Sequence, residues 1–282
     1  MGYAPIVDAQ VHVWKAATAE RPWPPDAIAP QREVPLELPE LSQRMADSGV
    51  NAALLLGPTW EGSRNDYVLA AAEADPARFG ALCRFPAGDP ATVERLAHWR
   101  ECTGMLGIRM SLNRGDVAGA LESAAGSGFF AAASEFGVPL SIYAPGRHEL
   151  YERLATEYPA LRITVDHAAI EHRDRPLSEA IAPLLALAKH PGIAVKASAL
   201  PCFVDESYPF PSISEAVYRL VEAFGAQRVF WGSDLSRLPI PYRQLVDIFV
   251  NHTTELTDEE RRLVLGEGLA RWLGWTAVLD AE

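Results

Sequence analysis

Four short segments of the chain place reactive polar side chains at or just after stretches of apolar residues. They contain Gln10 and His12 in the first segment, His167 in the second, Lys196 in the third and Asp234 in the fourth. Imidazole and carboxylate groups can activate water, polarise a carbonyl group or bind a divalent metal ion, and an ammonium group can stabilise an oxyanion. Brought together, such side chains are suited to the hydrolysis of a lactone or an amide.

The apolar stretches have the lengths and the β-branched composition of strands, and a helical pattern follows each of them. Eight strands are predicted, at residues 6–13, 51–56, 80–85, 105–111, 139–144, 162–167, 193–199 and 228–233. The helices between them are predicted at residues 38–48, 66–74, 90–101, 129–136, 148–158, 178–190 and 214–224, with closing helices at 242–250 and 258–273. Eight such repeats favour an α/β fold, a single-domain (β/α)₈ TIM barrel over residues 1–282, with an open doubly wound sheet as the alternative.

In such a barrel the carboxyl ends of all the strands meet at one mouth, where active sites form. Gln10 and His12 lie two residues apart, so a strand would point both to the same face. The proline-rich stretch 21–39 is predicted to be a loop that covers this mouth. Trp14, Trp23 and Trp60 give this side of the molecule aromatic surface for a lid or a pocket wall.

Charge and composition exclude several classes of partner. The 282 residues carry a formal net charge of −12, which disfavours nucleic acid and anionic membranes as partners. The start of the chain shows no signal-peptide pattern, so we expect a cytoplasmic location and a small-molecule substrate; a homo-oligomer is left open. The 3 cysteines are far apart and suggest neither a disulfide framework nor a thiolate zinc site.

Taken together, the motifs resemble the amidohydrolase-2 branch of the amidohydrolase superfamily. They are Asp8-Ala9-Gln10-Val11-His12, the His167 that follows Val165-Asp166, Val195-Lys196-Ala197-Ser198 and Trp231-Gly232-Ser233-Asp234. That branch includes metal-dependent hydrolases, sugar lactonases, pyrone dicarboxylate lactonases and some decarboxylases. The compact length and the last two motifs are more similar to the lactonases.

The chain departs from the family's metal-binding pattern at two places. Gln10 stands where the family has the first histidine of a pair, and the segment Ser141-Ile142-Tyr143 lacks a residue that can bridge two metal ions. The resemblance therefore implies either one divalent ion, Zn²⁺ or Mn²⁺, on His12, His167 and Asp234, or no metal at all, as is understood for the pyrone lactonases.

Each predicted site residue receives a role. Asp234 is the expected general base, and His167 and His12 polarise the carbonyl group or bind the metal. Lys196 either stabilises the oxyanion, binds a substrate carboxylate or forms a salt bridge with a buried acid. Arg109 and Arg84 suit a carboxylated substrate, because a guanidinium group matches a carboxylate. The predicted substrate-binding set is completed by Tyr143, Gln10 and Trp14, and Asp8 is expected to brace the first strand.

Lactone hydrolysis is the main hypothesis. Hydrolysis of an amide or other C–N bond uses the same groups and comes second, followed by non-oxidative decarboxylation. A catalytically inactive barrel that only binds ligands is the alternative from outside the enzymes.

Overall fold

A single parallel sheet of eight strands, in sequential order, forms the centre of the molecule. It is seen in a computed structural model that describes residues 5–280. The strands are Val7–His12 (β1), Ala52–Leu56 (β2), Phe79–Cys83 (β3), Met105–Ser111 (β4), Leu140–Tyr143 (β5), Ile163–Val165 (β6), Ile193–Ser198 (β7) and Val229–Gly232 (β8). Just beyond β8, the backbone N–H of Asp234 donates to the carbonyl oxygen of Gln10 at 2.8 Å, which brings the last strand back to the first.

The helices surround this sheet and follow the strands along the chain. They are Leu38–Ser48 (α1), Asp66–Ala74 (α2), Pro90–Leu96 (α3), Val117–Gly126 (α4), Phe129–Glu135 (α5), His148–Glu157 (α6), Leu177–Leu185 (α7), Pro211–Phe224 (α8), Tyr242–Asp247 (α9), Asp258–Arg262 (α10), Gly268–Leu273 (α11) and Thr276–Leu279 (α12). The chain is therefore a single-domain (β/α)₈ TIM barrel with closing helices at its carboxyl end, as predicted.

Burial of apolar side chains explains why these segments form a barrel. Most strand residues are fully buried, which is expected when helices cover one face of a parallel sheet and the barrel interior covers the other. Helix α8 shows the matching helical pattern, since Ile213, Val217, Leu220 and Phe224 recur every three or four residues and are all buried. Helix α1 ends where Gly49 adopts a left-handed φ of 74°, a conformation that glycine adopts without strain.

The predicted strands agree with the observed ones to within two residues at every end. Two helices were missed, α4 and the short α12. Helix α4 is rich in alanine and glycine and has a weakly amphipathic sequence, so its apolar pattern gave no clear signal. Among the described residues, no helix is long and apolar enough to cross a membrane.

Candidate active site

A cavity of about 560 Å³ opens at the carboxyl ends of the strands. Most of its polar lining residues come from strand ends and from the loops that follow them. They include His12, Arg84, Arg109, Ser111, Asn113, Arg114, Tyr143, His167, Glu171, Asp234 and Arg237. The loop between β1 and α1 contributes Ile28, Ala29 and Gln31, so this loop covers the mouth as predicted.

Asp234 lies at the centre of the polar groups in this cavity. Its Oδ1 atom is 3.6 Å from Nε2 of His12, and its Oδ2 atom is 3.8 Å from Nε2 of His167 and forms an ion pair with Arg237. Burial alone would raise the pKa of the carboxyl group, but Arg237 and the two histidines outweigh burial and lower it to about 2. Asp234 is therefore ionised at neutral pH. Its Oδ1 atom is buried and has no hydrogen-bond partner among the described residues.

His12 presents an unprotonated nitrogen to the cavity. Burial lowers its pKa to about 4, so the ring is neutral at pH 7. Its Nδ1 atom lies 3.1 Å from the carbonyl oxygen of Leu56, which can only accept a hydrogen bond, so Nδ1 carries the proton. Nε2 is consequently a hydrogen-bond acceptor. The amide nitrogen of Gln10 faces Nε2 at 3.5 Å, while the amide oxygen of Gln10 accepts from Lys196 at 2.9 Å.

His167 has the opposite tautomer. Burial lowers its pKa to about 3, and its Nδ1 atom lies 2.8 Å from the hydroxyl of Ser198. That buried hydroxyl has no other acceptor among residues 5–280, so it donates to Nδ1 and leaves the proton on Nε2. His167 therefore presents an N–H donor to the cavity.

His167 and Asp234 also share an unusual backbone conformation. Both have a positive φ of 52°, in the left-handed region that side chains other than glycine seldom adopt. Both residues lie two positions beyond the last residue of their strands, β6 and β8, and Nε2 of His167 is 3.8 Å from Oδ2 of Asp234. Such strain is commonly found at functional sites.

A buried network lies behind the cavity wall and is centred on Asp166. The carboxylate forms ion pairs with Nε of Arg109 at 2.8 Å and Nζ of Lys196 at 3.1 Å, and it accepts a hydrogen bond from the hydroxyl of Ser141 at 2.6 Å. Burial would raise the pKa of Asp166, but the two cations hold it well below its usual value. Burial lowers the pKa of Lys196 to about 8 despite this pairing.

Asp8 connects the first and last strands next to the site. Its carboxylate accepts from the backbone N–H groups of Gln10 at 2.9 Å and Ser233 at 2.8 Å, and from the hydroxyl of Tyr242 at 2.7 Å. Burial outweighs these hydrogen bonds and raises its pKa to about 6. This is the bracing role that was expected for Asp8, and it fixes the backbone directly before Asp234.

Of the nine predicted site residues, the structure brings six to the wall of the cavity. These are His12, Arg84, Arg109, Tyr143, His167 and Asp234. Tyr143 packs edge-on against His167 with ring centroids 5.1 Å apart and donates to the carbonyl oxygen of Ile170.

The other three predicted residues lie behind the wall. Gln10 and Lys196 are 0% and 1% exposed and hydrogen-bond each other. Lys196 also forms a salt bridge with Asp166, which was one of its predicted alternatives. Trp14 is 0% exposed and packs edge-on against Trp60, which lines the cavity in its place. The strand ends at His12, so the alternation that would have turned Trp14 inward has already stopped.

Sequence reasoning missed two residues that matter. Arg237 forms the ion pair with Asp234, and the three-residue spacing between them was a signal that could have found it. Asp166 anchors the buried network and directly precedes His167, but its two cationic partners, Arg109 and Lys196, lie far from it in the sequence.

The donor set fits a metal ion poorly. Among residues 5–280, no group of three or more His, Cys, Asp or Glu side chains is arranged to hold one. One oxygen of Asp234 is held by Arg237, and the side chain next to His12 is the amide of Gln10 rather than a second imidazole. We therefore derive no catalytic step through a metal.

Comparison with known proteins identifies the family. Residues 7–275 match the amidohydrolase family. The chain is 29% identical over 243 residues to the L-fucono-1,5-lactonase of Burkholderia ambifaria, which covers 82% of this chain and 81% of the relative.

Two solved structures share the fold. A probable 2-pyrone-4,6-dicarboxylic acid hydrolase from Acinetobacter baumannii, with citric acid bound, has a TM-score of 0.76 at 17% identity over 95% of this chain and 99% of its own. An amidohydrolase from Burkholderia multivorans with bound zinc has a TM-score of 0.76 at 21% identity over 96% of this chain and 99% of its own. The chain is therefore a hydrolase that belongs to the amidohydrolase family.

Proposed function

We propose that the protein opens the ring of a small lactone and that Asp234 activates the attacking water. The relationship to a lactonase, at 29% identity over 243 residues, supports the choice of a lactone over an amide. The observation that carries the mechanism is the pair of acceptor atoms, Oδ1 of Asp234 and Nε2 of His12, which lie 3.6 Å apart at the cavity.

Two acceptors at this separation can share one water molecule that lies to one side of the line joining them, about 2.8 Å from each. Each accepts one O–H of the water, which leaves the oxygen lone pair free to attack the lactone carbonyl carbon. Holding the nucleophile in place in this way removes much of the entropic cost of the reaction. Asp234 is assigned as the proton acceptor because its Oδ1 atom is buried and has no hydrogen-bond partner among the described residues, whereas Nε2 of His12 also faces the amide nitrogen of Gln10 at 3.5 Å.

The opposite side of the carbonyl group requires a donor. His167 supplies its Nε2–H, and Arg237 adds a positive charge beside Asp234. Both groups stabilise the negative charge that develops on the carbonyl oxygen in the tetrahedral intermediate. The two neutral histidines therefore have different roles: His12 accepts a hydrogen bond from the water, and His167 donates one to the substrate.

The reaction needs no proton donor other than Asp234. Water adds to the carbonyl carbon and its proton passes to Asp234. When the bond between the carbonyl carbon and the ring oxygen breaks, the ring oxygen takes this proton and becomes a hydroxyl group. The product is a hydroxy acid, which loses its own carboxyl proton to solvent at neutral pH.

A substrate panel tests this proposal. Purified protein is offered γ- and δ-lactones and matched lactams in water enriched in oxygen-18, and products are followed by mass spectrometry. We expect one labelled oxygen in the new carboxylate of a hydroxy acid and no turnover of lactams. Turnover of lactams with none of lactones, or release of carbon dioxide from a carboxylated substrate, would contradict the proposal.

A further inference from the structure

The cavity that holds Asp234 and His12 carries more positive than negative charge. Its lining includes four arginines, Arg84, Arg109, Arg114 and Arg237, against two carboxylates, Asp234 and Glu171. The chain as a whole has a net charge of −12, so the charge of this lining is opposite in sign to that of the whole chain. A local excess of one charge in a concave site selects ligands of the opposite charge.

Arg84 is a buried arginine of this lining whose charge has no carboxylate partner among the described residues. It is 8% exposed, and its guanidinium donates to the carbonyl oxygen of Gly57 at 2.7 Å and to the hydroxyl of Ser111 at 3.2 Å. Both acceptors are neutral, and no carboxylate among the described residues forms an ion pair with it. Burial and the nearby Arg109 lower its pKa to about 9, so it remains charged at neutral pH.

Arg109 adds a second unused donor to the same wall. Its Nε atom is paired with Asp166 at 2.8 Å, but its Nη1 atom is buried and has no hydrogen-bond partner within residues 5–280. The side chain as a whole is 4% exposed. Asp166 therefore holds the guanidinium in place from behind, and Arg109 lines the cavity with one buried N–H donor unused.

Buried charges and buried donors are destabilising when they are left unpaired. Two such groups on one wall of a cavity are therefore expected to be paired when a ligand is bound. We propose that Arg84 and Arg109 bind a carboxylate group of the substrate, so that the natural substrate is a lactone that carries a carboxylate. The lactone part of this statement rests on the proposed function, whereas the carboxylate part rests on the two arginines.

The competing role for Arg84 is stabilisation of the carbonyl oxygen during the reaction. The two roles differ in what they discriminate. An arginine that binds the carboxylate favours charged over neutral substrates, whereas an arginine that acts on the carbonyl oxygen accelerates both to the same extent. The ratio of kcat/KM for a charged and a neutral lactone therefore separates them.

The test uses δ-valerolactones that carry a carboxylate at each ring carbon in turn, each paired with its carboxamide. We expect the wild type to prefer at least one carboxylate over its carboxamide, and Arg84→Gln to lower that preference by about 10- to 100-fold, because a hydrogen bond between charged groups is lost. Arg84→Lys, which keeps the charge, should retain part of the preference. Arg114→Gln removes one exposed charge from the same mouth and should change the ratio by less than about threefold, because water and salt screen that charge.

Binding is measured separately from turnover. Tetrahydropyran carboxylate lacks a bond to hydrolyse, and its affinity for wild type and for Arg84→Gln is measured by calorimetry, with circular dichroism to confirm that the variant is folded. Tighter binding of this probe than of its carboxamide, lost in Arg84→Gln, supports the inference even if no lactone is turned over. Equal affinity for probe and carboxamide in the wild type would overturn it, as would an equal loss of kcat/KM for both lactones in Arg84→Gln, even with lactone hydrolysis established.

Discussion

The Oδ1 atom of Asp234 lies 3.6 Å from the Nε2 atom of His12, and neither atom carries a proton at neutral pH. Two acceptors this close in a buried site repel each other unless a donor lies between them. This relationship is the reason to place the attacking water there.

The tautomers of the two histidines are directly measurable. We expect nitrogen-15 NMR spectra at pH 7 to show His12 neutral with its proton on Nδ1, since Leu56 accepts from that atom. His167 should be neutral with its proton on Nε2, since Ser198 donates to Nδ1. An imidazolium signal for either residue, or the reverse tautomer for His12, would rule out the division of roles between them.

Lys196 is expected to act on stability rather than on chemistry. Its ammonium group is buried between Asp166, Gln10 and Ser141, so Lys196→Met should lower the free energy of unfolding by about 3–5 kcal/mol, the usual cost of breaking a buried ion pair. The matched control is Lys189→Met, which removes an exposed pair with Glu152 and should cost under about 1 kcal/mol. A Lys196→Met protein of unchanged stability but no activity would instead make Lys196 catalytic.

Asp8 gives a prediction for the effect of pH on stability. Its pKa rises from 3.8 to about 6 on folding, so between these values the folded state keeps a proton that the unfolded chain has lost. Stability due to Asp8 therefore falls as pH rises from about 4 to about 6, by about 3 kcal/mol in total, and is constant above. The free energy of unfolding is measured against pH for wild type and for Asp8→Asn. Subtracting the second curve from the first removes the contribution of the other titrating groups. A difference that grows with pH in this window would contradict the assignment.

Chelation tests whether the reaction needs a metal. Because Arg237 holds one oxygen of Asp234 and Gln10 faces His12, we expect dipicolinate treatment to leave kcat/KM within about twofold. Restoration of a lost activity by Zn²⁺ or Mn²⁺ would make His12, His167 and Asp234 ligands and reassign their roles.

The sequence predicted the parts of the site that depend on strand ends. His12, His167 and Asp234 each follow an apolar run, so the barrel topology was enough to bring them to one cavity. Partners that are far apart in the sequence could not be predicted in this way. The pairing of Lys196 with Asp166 depends on which side chains face each other inside the barrel, and Trp14 could not be placed without knowing where the first strand ends.

The proposed mechanism depends most on the carboxylate of Asp234, and kcat for Asp234→Asn on the lactones turned over by the wild type tests it most directly. We expect a loss on the order of 10²- to 10⁴-fold with an unchanged circular dichroism spectrum, because an amide cannot take the proton from water. Asp47→Asn, at an exposed position in α1, is the control and should keep full activity. If Asp234→Asn kept most of the activity, Asp234 would not be the general base and the mechanism would be wrong.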